Sequence, residues 1–84
     1  MDEKQFVADL RAKKREAYDQ LVDEYQKLVF NTCLSFVPNT TDAEDIAQEV
    51  FIEIYNSISK FKENSKLSTW IYRISTNKCL EFIR

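Results

Sequence analysis

No glycine occurs in these 84 residues, and proline occurs once, at Pro38. Those two residues are the main punctuation of a folded chain, because they permit or enforce tight reversals. A β-rich fold needs such reversals at intervals of about 8–12 residues. A chain with a single breaker is steered instead toward long helices joined by short connections. The expected fold class is all-α, a small bundle of three to four helices. At this length the chain forms one domain with a modest core. A hydrophobic content of 44% and an aromatic content of 13% suffice to fill that core.

The spacing of apolar residues places the helices. A short N-terminal helix is expected within 1–14, roughly Glu3 to Lys13, with Phe6, Val7 and Leu10 on one side. A second, over 15–37, repeats Tyr18, Leu21, Val22, Tyr25, Leu28, Val29, Cys33 and Phe36 at helical steps. Pro38 stops it, since proline disfavours helix in the residue before it. A third is expected over 42–59, with Thr41 as cap and Glu44 completing a capping box. Its inward face is Ala43, Ile46, Ala47, Val50, Phe51, Ile54, Tyr55 and Ile58. A polar loop over 60–66 leads into a last helix over 67–84, capped by Asn64 or Ser65. Leu67, Ile71, Ile74 and Phe82 share its inward side on a helical wheel.

The formal net charge of -2 conceals a polarity. Residues 1–15 carry a net +2, residues 16–59 a net -8, and residues 60–84 a net +4. Positive charge therefore gathers in the last third, where it would serve phosphate contacts. Several classes of function are disfavoured. No apolar run approaches 18 residues, so no membrane span is expected. The charged start MDEKQFVADLRAKKR has no apolar signal core, which points to the cytoplasm. Histidine is absent and Cys33 and Cys79 form no CxxC pair, so no metal, cofactor or catalytic site is expected.

Three features could carry recognition. Asp45, Gln48, Glu49, Ile52, Glu53 and Asn56 lie opposite the core face of the third helix. Ile52 among them is either an isolated surface hydrophobe or an apolar knob ringed by polar groups, suited to a basic helical partner. On the last helix Trp70, Arg73, Asn77 and Arg84 align at steps of three, four and seven. Trp offers a stacking plane, Arg a fork for phosphate or base, and Asn a donor and acceptor for base edges. The plain alternative makes Trp70 core and the others solvated. The loop, with Lys60, Lys62, Lys66, Asn64 and Ser65, is either a soluble turn or a holder of an unstacked base.

The segments DAEDIAQEVFIEIY, the F…SKLSTW loop and WIYRISTN, in this order and spacing, resemble region 2 of bacterial extracytoplasmic-function (ECF) sigma factors of the sigma-70 family. The resemblance runs from Tyr18 to Arg84. It implies a non-enzymatic transcription initiation factor domain. Asp45, Gln48, Glu49, Ile52 and Glu53 would dock on the β′ clamp helices of the RNA polymerase core. Lys60, Phe61, Lys62, Asn64, Ser65, Lys66, Ser68 and Thr69 would form the loop and its exit, holding a flipped base of the minus-ten promoter element. Trp70, Arg73, Asn77 and Lys78 would read and grip the non-template strand as it separates. An anti-sigma factor is implied as a further partner. The chain departs from the family pattern at Lys62-Glu63-Asn64-Ser65, where relatives often have glycine, and at Leu67, where an aromatic is frequent. The family's C-terminal region 4 is expected to be missing, which makes this chain a fragment or excised domain. The alternative is a non-catalytic helical protein-interaction module, without DNA recognition.

Overall fold

The computed structural model describes residues 2–84. Four α-helices follow one another: α1 (Glu3–Arg11), α2 (Arg15–Phe36), α3 (Thr40–Ser57) and α4 (Leu67–Ile83). A 3₁₀ turn, Ile58–Lys60, extends the end of α3. Among the described residues there is no strand. Helices α2, α3 and α4 each pack against the other two, and α1 lies across α2 and the 3₁₀ turn.

The core is built from one stripe of each helix. Leu21, Val29 and Cys33 meet Ala43, Ile46, Val50 and Ile54, and both meet Leu67, Ile71 and Cys79. Val7 of α1 is also fully buried. Each fully buried Leu or Ile side chain contributes about 1.5–3 kcal/mol. Ser75 sits in the middle of the α4 stripe and donates its hydroxyl to the Ile71 carbonyl at 2.9 Å. The hydroxyl is thereby satisfied inside the apolar interior. The buried α4 stripe is Leu67, Ile71, Ser75 and Cys79, a run of four-residue steps. Phe82, expected inside, is exposed, together with Leu80 and Ile83. The wheel aims Phe82 inward, but the last turn of α4 has no covering surface opposite it. Leu28 and Phe36 of α2 and Tyr55 of α3 are likewise on the exposed side of their stripes.

Helix ends are solved without glycine. At α1 the chain closes with the Lys13 N–H on Leu10 O at 3.0 Å and the Lys14 N–H on Asp9 O at 3.1 Å. That is the paired pattern in which glycine is usual at the left-handed position. Here Lys13 takes it, with φ 60°, at a cost of about 1–2 kcal/mol. Its ammonium sits 3.8 Å from the centre of the Tyr55 ring and donates to the Tyr55 carbonyl, which holds the residue in place.

Two caps differ from expectation. Helix α3 begins at Thr40, and its cap is Asn39, whose side chain accepts from the Asp42 N–H at 3.0 Å. Thr41 therefore falls inside the first turn. The extended Asn39 backbone after Pro38 puts the amide oxygen in reach, and Asn caps as well as any residue. At α4 neither Asn64 nor Ser65 caps. The cap position is Lys66, which makes no side-chain bond, and the Leu67 N–H is met instead by Glu3 Oε2 of α1 at 3.3 Å.

The two cysteine thiols face each other in the core between α2 and α4. Burial pushes the Cys33 thiol up to about 12, with the Cys79 thiol adding to the shift. Burial also raises Cys79. Both are inert packing thiols in the folded chain.

Candidate partner and nucleic-acid interfaces

The outer side of α3 is one continuous helical surface. Asp45, Gln48, Glu49 and Asn56 are exposed, and Ile52 among them keeps 58% of its surface in water. Glu53 is not an equal member of this face. It is half-buried, accepts from the Ser57 hydroxyl, and lies 3.7 Å from Lys78 Nζ of α4. Lys78, expected to grip phosphate, is thus half-buried and directed at a carboxylate. The pair spans the α3–α4 seam.

The second surface combines a loop with one side of α4. Lys60, Lys62, Asn64, Ser65, Lys66 and Thr69 are exposed, and Ser68 is half-buried. Phe61, expected among the loop contacts, is buried. It is 2% exposed and anchors the start of the loop in the core. Its ring lies 5.2 Å from that of Trp70, tilted by 47°. A tilted pair at this separation adds about 0.5–1.5 kcal/mol beyond burial. Trp70 is half-buried: it packs against the core cluster and keeps part of its surface exposed. Arg73 and Asn77 follow it at three and seven residues along α4, exposed and without an ion pair or side-chain hydrogen bond among the described residues.

Sequence reasoning missed Tyr72. It stands beside Arg73 with 49% of its surface exposed. A large apolar side chain off the core stripe of a helix was the available signal, the same that singled out Ile52. Also missed were Arg11 and Glu63, whose side chains meet at 3.6 Å where α1 passes the loop.

These features define a class: a helical bundle with an acidic, apolar-centred helix face next to a basic loop and an aromatic-cation helix. A family model described as sigma-70 region 2 matches residues 21–84, and the chain belongs to that family. It is 38% identical over 81 residues to the ECF RNA polymerase sigma factor SigW of Bacillus subtilis, which is 96% of this chain and 43% of that protein. It is 33% identical over 69 residues to the ECF RNA polymerase sigma-E factor of Escherichia coli K12, or 82% of this chain and 36% of that protein. The chain thus spans less than half the length of these curated relatives. Among solved structures, an engineered region 2 of sigmaE in complex with GTAAAA superposes with a TM-score of 0.89 and 31% identity. That likeness covers 99% of this chain and 86% of the other. No described helix is long and apolar enough to cross a membrane.

Proposed function

We propose that this chain is the part of an ECF sigma factor that docks on the RNA polymerase core and recognises and helps melt the minus-ten promoter element. The observation that carries this is the presence of two unlike exposed surfaces on successive helices that the Glu53–Lys78 pair ties together. Asp45, Gln48, Glu49 and Ile52 meet the β′ clamp helices. The acids steer a basic partner, and Ile52 supplies the desolvated centre. Lys60, Lys62, Asn64, Ser65, Lys66, Ser68 and Thr69, with Trp70, Arg73 and Asn77, meet the non-template strand. The DNA complex of the sigmaE region 2 relative supports this side. Phe61 acts from below as the floor under Trp70, and Lys78 keeps α4 on α3. The domain works in the cytoplasm, where an anti-sigma factor covering either surface would silence it.

The energetics suit such a role. Extruding a base costs a few kcal/mol. Stacking returns about 1–3 kcal/mol per captured base. One or two captured bases offset the local cost of opening, with polymerase supplying the rest. No bond is made or broken by the domain.

The test is selection of single-stranded DNA from a randomised pool on the immobilised chain, beside titration with the β′ clamp helices. Enrichment of a motif together with clamp binding is expected. Clamp binding with no enrichment would replace this reading with that of a protein-interaction module.

A further inference from the structure

Helix α1 lies ahead of the span that the family model matches, and nothing above gives it a part in recognition. It nevertheless holds both ends of the loop between the 3₁₀ turn and α4. At the entry, the Arg11 guanidinium donates to the Phe61 carbonyl. At the exit, Glu3 Oε2 accepts from the Leu67 N–H at 3.3 Å. Lys13 fixes the far end of α1 to Tyr55. Phe61 and Leu67 are buried anchors, and every residue between them is exposed.

Each contact fills a local deficit. A helix N-terminus presents N–H groups with no partner inside the helix, and it favours a negative charge. Lys66 supplies neither, so Glu3 does, from 64 positions earlier in the chain. The loop also contains one acid, Glu63, among its lysines. Left alone, that carboxylate would repel a phosphate backbone. Arg11 lies 3.6 Å from it and neutralises it. Both partners are partly exposed, so the pair adds little to folding. Its effect is on where the loop sits and what charge it shows.

We propose that α1 is a strap that sets the shape and charge of loop 61–66, with Glu3 and Arg11 as its positioning residues. The DNA consequence rests on the function proposed above, whereas the strap itself can be read without DNA.

The experiment compares Arg11→Ala, Arg11→Lys, Glu3→Gln and the double variant Arg11→Ala/Glu63→Gln in the full chain. Amide hydrogen exchange over residues 61–70 is measured without DNA. Affinity is then measured for the single-stranded oligonucleotide that the unaltered chain enriches, and for the clamp helices. In Arg11→Ala, exchange around Phe61 and Glu63 should speed up about tenfold, while the α2 and α3 cores stay protected. Oligonucleotide affinity should fall about 5–10-fold, the size of one ordinary hydrogen bond's net contribution. Clamp affinity should not change. Adding Glu63→Gln should recover part of the DNA affinity but not the slow exchange. Arg11→Lys should recover charge better than geometry, because it lacks the fork. Glu3→Gln should act most at the Leu67 amide. A folded Arg11→Ala chain with unchanged exchange and unchanged affinity overturns the strap. So does a loss on DNA and clamp alike, which would mark general unfolding. If no oligonucleotide is enriched, the DNA reading falls, and the exchange data alone decide whether α1 holds the loop.

Discussion

The outer face of α3 and the loop–α4 surface are built in opposite ways. The first is a single helix side, complete once the helix exists, and Ile52 projects from it without support. The second is composite. It needs Phe61 buried beneath Trp70, Glu3 at the start of α4, and Arg11 against the loop. A one-helix surface tolerates change locally, whereas a composite one transmits change from its supports. Docking should therefore respond to single surface residues, and strand recognition should respond also to residues that never meet DNA.

The strongest way to break this contrast is Phe61→Ala. Phe61 is 2% exposed, and truncating a buried Phe costs about 3–5 kcal/mol. A urea titration should register that loss, and strand binding should weaken even at low temperature where the chain remains folded. Full DNA affinity in the folded variant would mean that Trp70 needs no floor. Next in size is Ile52→Asp. Because Ile52 is 58% exposed, stability should stay within about 0.5 kcal/mol of the parent. Clamp-helix affinity should drop about 10–30-fold, as for a central apolar contact. A large fall in melting temperature would show that Ile52 is core after all.

Smaller effects sharpen the loop side. The double variant Asn64→Ala/Ser65→Ala should change which base a randomised pool enriches, at only a few-fold cost in total affinity, because base-edge contacts carry discrimination. An identical enriched motif would move the base-holding residues elsewhere. A separate effect, seen only at high pH, concerns the shared core. The folded state raises Cys33 from its ordinary 9.0 to about 12, so it favours the protonated thiol. The stability this contributes is fully present below pH 9 and is lost as pH rises toward 12. Chemical denaturation across that window should show a steeper decline for the parent than for Cys33→Ala. Parallel declines would mean that the thiol titrates alike folded and unfolded.

Helical periodicity made the simple surface readable and the composite one only partly so. The absence of glycine and the three- and four-residue spacing carried the all-α class and the outward position of Asp45, Gln48, Glu49 and Ile52. The same reasoning placed Arg73 and Asn77 on an exposed side of α4. It misjudged Phe82, because a wheel knows the side of a helix but not where the neighbouring helices end. It gave no sign that Phe61 is buried, because a loop has no period from which to infer burial. It gave no sign of Glu3 at Leu67 or of Arg11 at Glu63, since contacts across 64 and 52 positions leave no local pattern. The left-handed Lys13 was equally hidden, for only a glycine there would have announced it.

The proposed function assigns polymerase and promoter DNA to two separable surfaces. Its most direct test crosses two variants with two ligands: Glu49→Lys and Asn77→Ala, each titrated with the β′ clamp helices and with the enriched single strand. Glu49→Lys should lose about tenfold on the clamp helices and nothing on DNA. Asn77→Ala should lose about 3–10-fold on DNA and nothing on the clamp helices. Equal losses on both ligands for either variant, or no loss for both, would contradict it.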